Sequence, residues 1–450
     1  MNVFRKITEF FVTIVQRYLP DPFLFAVLLT FITFFLGIVI TNQSPIQMLD
    51  HWGSGLWSLL TFAMQMSLIL ITGHTLALTA PVKRLLQSMA RIPKTPGAAI
   101  MTVTLVSACA SYLNWGFGLV VGALYARELA RTIPNVDYRL LIASSYTGFI
   151  VWHAGISGTI PLLLASGGSA VYNIVDGAIS QPIPISQTIF ALYGWVPALI
   201  IIVTLPFLNR AMHPSPERTI SIDPELLEPE MPEFPVANYT FADRLENARW
   251  ISVGISVMGI AYIVRGVLVL GGLNLDLVIG LFLFVGILLH GVPRKFISAF
   301  TLAAKGASPI LLQYPLYAGI MGMMGGDNPV TGVSLAGYIS NFFVSISTET
   351  TFPVYAFLSA GIINFFVPSG GGQWAIQAPF IIPAAVKIGA RPAEAAMAIA
   401  WGDAWTNMIQ PFWALPALGI AGLGARDIMG YCVVVLIYTG FIISACHMLF

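Results

Sequence analysis

The stretch Asn364-Phe-Phe-Val-Pro-Ser-Gly-Gly-Gly372 lies near the middle of an apolar segment, residues 351–386, that is too long for one membrane crossing. A span needs only about 20 residues. Residues Asn114-Trp-Gly-Phe-Gly118 interrupt the apolar segment 97–132 in the same way. Such irregular backbone survives at membrane depth only where protein or a wet cavity satisfies its polar groups. We therefore predict that both segments form re-entrant hairpins, each entering and leaving on one side of the membrane.

The composition supports a membrane protein. Hydrophobic residues make up 57% of the 450 residues and charged residues only 9%, whereas an average soluble domain is about 25% charged. The net charge of +1 gives no case for nucleic-acid binding. The three cysteines lack metal-ligand spacing and are interpreted as packing residues. We predict an all-α polytopic protein with apolar segments at roughly 22–40, 56–80, 97–132, 138–165, 186–208, 250–270, 274–290, 306–326, 351–386, 395–424 and 428–449.

Two of these segments, 138–165 and 395–424, are predicted to be broken helices. The first contains Gly148, Gly155 and Pro161 among polar residues, and the second contains Gly402 and two prolines. Glycine and proline interrupt the helical hydrogen-bond ladder.

The two halves of the chain are alike in order and spacing. Asn114 follows Gln65 by 49 residues, and Asn364 follows Gln313 by 51. One spare crossing between the copies would make the second copy inverted, which is a transporter architecture. The predicted division is an N-terminal amphipathic helix plus the first repeat (1–208), a cytoplasmic linker (209–249), a connecting transmembrane helix (250–273) and the second, inverted repeat (274–450).

The distribution of Lys and Arg predicts a cytoplasmic N-terminus. The connections 81–96 and 291–305 are basic and belong inside by the positive-inside rule. Lys387 and Arg391 are exceptions, because the same count leaves them outside. The connections without Lys or Arg are 41–55, 166–185 and 327–350.

The glycine-rich tips are candidate anion sites. Glycine lets a ligand approach the backbone closely, successive N–H groups form a concave nest, and a helix N-terminus adds partial positive charge. The alternative is that the tips are simple turns and that the asparagines cap adjoining helices. The predicted substrate-binding residues are Asn114, Gly116, Gly118, Ser144, Ser145, Asn364, Ser369, Gly370, Gly371, Gly372 and Asn407.

Asp403 and His153 are the candidates for ion or proton coupling. An intramembrane acid is costly and marks an ion or proton path by default. Histidine titrates near physiological pH. The structural alternatives are an acid paired to a buried donor and a hydrogen-bonded core histidine.

No enzyme motif occurs: the sequence has no Gly-x-Ser-x-Gly, no His-Glu-x-x-His and no phosphate loop. We predict no catalytic residue, no cofactor and no metal. The expected partners are a small carboxylate, H⁺ or Na⁺, membrane lipid and a second copy of the chain in a homodimer.

Long motifs resemble the AtoE-type short-chain fatty acid transporters over nearly the whole chain. These are Leu19–Phe23, Asn114–Gly122, Val367–Gly372, Gln410–Ala417 and Gly422–Cys432. The resemblance implies a carrier of acetoacetate or butyrate in the bacterial inner membrane, and kinship with the wider ion transporter superfamily and its paired re-entrant hairpins. A carrier of dicarboxylates or other organic anions is the alternative. A channel is less favoured, because channels are usually rings around a pore.

Overall fold

The computed structural model describes residues 3–175, 177–223, 240–270 and 274–450, and within these ranges it contains helices and turns without a strand. Seven helical stretches of the described chain are long and apolar enough to cross a membrane: Pro22–Thr41, Leu60–Ala77, Pro96–Leu113, Tyr138–Ser166, Leu192–Ala211, Arg249–Val269 and Ala425–Leu449. The all-α, multi-pass prediction is confirmed.

The first half contains eleven α-helices in its described residues. They are α1 (Val3–Tyr18), α2 (Pro22–Thr41), α3 (Pro45–Gly55), α4 (Leu60–Ala77), α5 (Ala80–Ala90), α6 (Pro96–Leu113), α7 (Trp115–Thr132), α8 (Tyr138–Thr147), α9 (Thr159–Ser166), α10 (Ser169–Tyr172) and α11 (Leu192–Ala211). The 3₁₀ turn Gly148–Ala154 follows α8 directly, and shorter ones lie at Ile185–Gln187 and Pro216–Arg218.

The second half also has eleven α-helices where the structure describes it. They are α12 (Phe241–Glu246), α13 (Arg249–Leu270), α14 (Leu275–His290), α15 (Pro293–Ala304), α16 (Ser308–Gly325), α17 (Leu335–Ser345), α18 (Phe352–Phe366), α19 (Gly370–Ile388), α20 (Pro392–Thr406), α21 (Ala414–Ala421) and α22 (Ala425–Leu449). The 3₁₀ turns lie at Lys305–Ala307 and Pro411–Trp413. Residues 224–239 of the predicted linker and 271–273 of the predicted connecting helix lie outside the described residues.

The first long segment folds back on itself at Asn114, as predicted. The arms α6 and α7 run antiparallel, because Gly118 faces Ser111 and Gly122 faces Ser107 across the hairpin. A Cβ on Gly122 would lie 2.7 Å from Ser107 Oγ. Glycine therefore lets the two arms pack closely.

The second long segment folds back through Val367–Ser369. Gln373 on α19 donates its Nε2 hydrogen to the Ala360 carbonyl of α18 at 2.8 Å. One turn further, Gln377 Nε2 donates to Ser359 Oγ at 2.7 Å. These buried amides bond the arms together, since an unpaired amide in this setting is costly.

Both broken helices are interrupted, but only the first at its predicted glycine: α8 ends before Gly148, whereas α20 continues through Gly402 and ends at Thr406, ahead of Pro411. Gly148 and Gly402 each follow the start of their helix by ten residues. Gly148 packs closely against α6, and Gly402 packs closely against α18. A Cβ at Gly148 would lie 2.6 Å from Ala108 N, and one at Gly402 would lie 2.5 Å from Ala360 Cβ. Glycine thus brings each broken helix into contact with a hairpin.

Packing between the halves is reciprocal. Helix α4 packs on α14, while α16 packs on α2. Helix α9 packs on the hairpin arm α19, and α21 packs on the hairpin arm α7. Each half therefore places its broken helix against the hairpin of the other half.

Candidate functional site

His153 and Asp403 join the two broken helices in the buried interior. His153 lies in the 3₁₀ turn after α8, and Asp403 lies near the end of α20. The imidazole Nδ1 is 2.7 Å from Asp403 Oδ2, and neither side chain is exposed (0% each). The two residues predicted separately as coupling candidates therefore form one buried pair.

The surroundings of His153 assign its tautomer. The backbone N–H of Ile160 donates to Nε2 at 3.1 Å. Because a backbone N–H can only donate, Nε2 carries no hydrogen in this arrangement. The hydrogen of the neutral ring is then on Nδ1 and is donated to Asp403. Protonation of Nε2 would place two donors face to face.

The second carboxylate oxygen of Asp403 is open. Asp403 Oδ1 is buried and has no hydrogen-bond partner among the described residues. A buried acceptor without a partner is rare and calls for an explanation. Oδ1 is the atom at which this pair can take up a proton or contact a cation.

The second hairpin tip packs directly on this pair. A Cβ on Gly370 would lie 2.7 Å from His153 Cε1 and 3.2 Å from Trp152 Cη2. Gly371 has more room, since its nearest neighbour would be Thr159 Cγ2 at 3.9 Å. Gly372 faces Met321 of α16. The tip is thus enclosed by elements of both halves.

Backbone donors are available at this tip. Helix α19 begins at Gly370, and its N-cap residue Ser369 makes no side-chain cap. The N–H of Gln373 donates to the Ser369 carbonyl, but the N–H groups of Gly370, Gly371 and Gly372 have no acceptor within the described chain. These donors, at the positive end of a 19-residue helix, can bind an anion.

Asn364 lies beside the tip, on α18. Its Nδ2 donates to Thr406 Oγ1 at 2.9 Å and to Asn407 Oδ1 at 3.0 Å. Both asparagines are fully buried (0% exposed). Asn364 Oδ1 and Asn407 Nδ2 have no partner in the described residues, which leaves one acceptor and one donor for a ligand.

The first tip is built differently. Asn114 is half-buried, and its Oδ1 accepts from Phe117 N at 3.0 Å as the N-cap of α7. The following N–H, of Trp115, donates to Ser157 Oγ at 3.0 Å. Asn114 and Trp115 line a cavity of about 300 Å³ that is also lined by residues of α9. Asn114 therefore acts as a helix cap, as its alternative role predicted, at the edge of a cavity.

Trp152 links the two tips, since it contacts Trp115 of the first tip and Gly370 of the second. The ring of Trp115 lies 6.1 Å from that of Trp152 and 5.2 Å from that of Trp413. Trp152 also stacks on His153 at 4.1 Å and contacts Gly370. Both tips thus contact the turn that holds His153.

Of the remaining predicted residues, Gly116 has a packing contact and Ser145 is hydrogen-bonded. A Cβ on Gly116 would lie 2.6 Å from Ile69 Cδ1. The hydroxyl of Ser145 donates to the Ile142 carbonyl at 2.8 Å, and the Ser145 carbonyl accepts from Ser107. Ser144 Oγ is buried without a described partner. Of the two serines, only Ser144 has a hydroxyl that is not already hydrogen-bonded.

Trp152 and Tyr146 were not singled out from the sequence, whereas Gln410 was expected to face the second tip. Trp152 stacks on His153, and the Tyr146 hydroxyl donates to the Asn407 carbonyl at 2.6 Å across the two halves. Gln410 closes its own turn by accepting from Phe412 N at 2.7 Å. Its place among the polar residues of a broken apolar segment was the available signal for Tyr146. Trp152 gave no signal beyond its place next to His153.

Two hairpins and two broken helices that meet at a buried polar centre define a membrane transport protein. The chain belongs to the short chain fatty acid transporter family, whose model matches residues 3–450. This membership confirms the resemblance noted in the sequence and the prediction that the protein is not an enzyme.

Two curated relatives agree with this assignment. A protein of Escherichia coli (strain K12) is 45% identical over 97% of this chain and 98% of its own length. One of Haemophilus influenzae is 43% identical over 96% of this chain and 97% of its own. Both are named "Putative short-chain fatty acid transporter".

A solved structure, the YdaH transporter of Alcanivorax borkumensis, aligns with 96% of this chain and 97% of its own. The identity is 14% and the TM-score 0.46.

Proposed function

We propose that this protein is a proton-coupled symporter of small monocarboxylates, such as acetoacetate or butyrate, in the bacterial inner membrane. The buried His153–Asp403 pair, with its open Oδ1, is the observation that carries the proposal. Asp403 takes up the proton, and the glycine tip of the second hairpin binds the carboxylate. The N-terminus lies in the cytoplasm.

The glycine tip suits one carboxylate with a short apolar tail. Three backbone N–H groups without a described partner supply the donors. Asn407 Nδ2 supplies a further donor. The neighbouring side chains Trp152 and Met321 are apolar, and no Lys or Arg is among the described neighbours nearest to the three glycines. A dicarboxylate would need one, because a second buried charge without a partner is costly.

The chemistry of the pair favours H⁺ over Na⁺. A hard cation such as Na⁺ prefers oxygen ligands, and it needs several of them to be bound. Asp403 Oδ2 already accepts from His153 Nδ1, so only Oδ1 is free. A proton needs one acceptor only. Its uptake at Oδ1 also removes a buried negative charge, which lowers the cost of carrying the site across an apolar barrier.

Loading is electroneutral in sum: one proton on Asp403 enters with one carboxylate at the tip, so the loaded site has the same single negative charge as the empty, deprotonated site. The tip of the second hairpin contacts His153, which pairs with Asp403. The carboxylate site at this tip therefore adjoins the proton site on Asp403. This adjacency is the basis for coupling, since the carboxylate is better tolerated when Asp403 is neutral.

We infer that the halves are inverted repeats, with residues 1–208 and 274–450 flanking the linker 209–249 and the connecting helix 250–273. The reciprocal packing of α4 on α14 and α16 on α2 supports a two-fold relation between them. Inverted repeats give two alternative packings of similar energy, which is what alternating access requires.

The proposal is tested by uptake of labelled acetoacetate or butyrate into proteoliposomes under an imposed pH gradient or an imposed Na⁺ gradient. Neutral butyric acid can cross lipid without a protein, so protein-free liposomes define the background. We expect uptake above that background with an acidic exterior, no response to Na⁺, and competition by other short monocarboxylates. Uptake driven by Na⁺ at equal pH, or preferential competition by succinate, would refute it.

A further inference from the structure

A second site lies where the N-terminal helix meets the start of the linker. A cavity of about 150 Å³ is lined by Arg5, Arg139, Arg218, Glu9 and Tyr431. It is bounded further by Thr8, Val12, Thr13, Met212 and Pro214. The site combines four chain regions that are distant in sequence: α1, α8, α22 and residues 212–218.

The cavity has an excess of positive charge. Arg218 Nη1 pairs with Glu9 Oε2 at 2.7 Å, which leaves Arg5 and Arg139 without an ion-pair partner in the described ranges. Arg139 Nε is buried and has no hydrogen-bond partner there either. The neighbouring acid Asp137 is already engaged, since its two oxygens accept from Leu140 N and Ile220 N. Among the described residues, three guanidinium groups thus stand against the carboxylates of Glu9 and Asp137, which leaves a net positive charge at the site.

We propose that this cavity binds a phosphate group, and that the group is the headgroup of an acidic phospholipid. Guanidinium groups bind phosphate with paired, charge-assisted hydrogen bonds. Basic pockets between membrane helices are known to take acidic headgroups.

The helix beside the cavity favours the lipid over a soluble phosphate compound. Helix α1 packs along α22, with Val12 against Gly430. Its outer face exposes Ile7, Phe10, Ile14 and Tyr18. An exposed apolar stripe with basic residues beside it is typical of a helix at a membrane surface. Acyl chains would pack on this stripe while the headgroup enters the cavity.

The headgroup would join α1 to α8, the helix that leads into the His153 turn. Arg5 lies on α1 and Arg139 on α8, so one bound phosphate bridges them. Acidic lipid would thereby hold the broken helix of the first half against the N-terminal helix.

The test is lipid binding to the purified full-length protein, measured by native mass spectrometry with phosphatidylglycerol and with phosphatidylcholine of the same chain length. We expect the wild type to prefer phosphatidylglycerol. Arg5→Gln/Arg139→Gln should weaken that binding at least about tenfold, because each lost contact is a charge-assisted bond. Arg17→Gln is the matched control, since Arg17 lies on α1 outside the cavity and should bind as the wild type does.

Inorganic phosphate is the second probe. If it binds and displaces phosphatidylglycerol in the wild type but not in the double variant, the site takes phosphate groups from solution as well. If the double variant is not monodisperse, phosphatidylglycerol binding by Arg5→Gln alone is compared with that of the wild type. Equal binding of phosphatidylglycerol by the wild type and these variants would overturn the proposal, whatever the uptake assays show.

Discussion

His153 Nδ1 and Asp403 Oδ2 lie 2.7 Å apart although 250 residues separate them in the chain. The contact joins the 3₁₀ turn of the first half to α20 of the second. Because the Ile160 N–H donates to Nε2, His153 donates to Asp403 from Nδ1. This hydrogen bond therefore connects the two halves, and its strength depends on the protonation state of Asp403.

The pair should behave as a coupled unit in stability. His153→Phe leaves a buried carboxylate without its donor, and breaking a buried pair in this way costs about 3–5 kcal/mol. His153→Phe/Asp403→Leu removes both polar partners, so we expect most of that loss to be recovered. The measurement is the midpoint of thermal unfolding of the purified variants in one detergent. If the double variant is less stable than His153→Phe, the two side chains do not interact as described.

Gly370 and Gly371 should respond differently to one added methyl group. Gly370→Ala would place a Cβ 2.7 Å from His153 Cε1, whereas Gly371→Ala would have its nearest neighbour at 3.9 Å. We expect Gly370→Ala to lower uptake about tenfold or more and Gly371→Ala to stay near the wild type, at equal amounts of reconstituted protein. Equal uptake by the two variants would show that the second tip does not need its close contact with His153.

The hairpins and broken helices were predictable because length and composition constrain them. Segments of 36 apolar residues cannot cross once, and Gly-Pro clusters cannot continue a helix. The partner of Asp403 was not predictable, because a single sequence contains no signal for a contact between distant segments. Asn114 and Asn364 also differ more than their matched spacing indicated: Asn114 caps α7, whereas Asn364 bonds to Thr406 and Asn407.

That difference predicts different tolerance at the two asparagines. Asn114→Ser retains a capping oxygen and should leave stability and uptake nearly unchanged, while Asn114→Ala should cost about 1 kcal/mol. Asn364→Ser cannot reach both Thr406 and Asn407, so we expect it to lower uptake strongly and to cost about 1–3 kcal/mol. Uptake and thermal midpoint measured on all three variants check this. Loss of uptake in a stable Asn114→Ser protein would instead assign Asn114 to the ligand.

The most direct test of proton coupling is a comparison of two uptake modes in Asp403→Asn proteoliposomes. The substitution keeps the shape of the side chain and removes its ability to gain and lose a proton. In counterflow, with substrate preloaded and no gradient imposed, we expect the variant to exchange labelled substrate. Under an imposed pH gradient, with protein-free liposomes as the background, we expect accumulation to fall to that background. Accumulation equal to the wild type under the same pH gradient would contradict the assignment of Asp403 as the proton site.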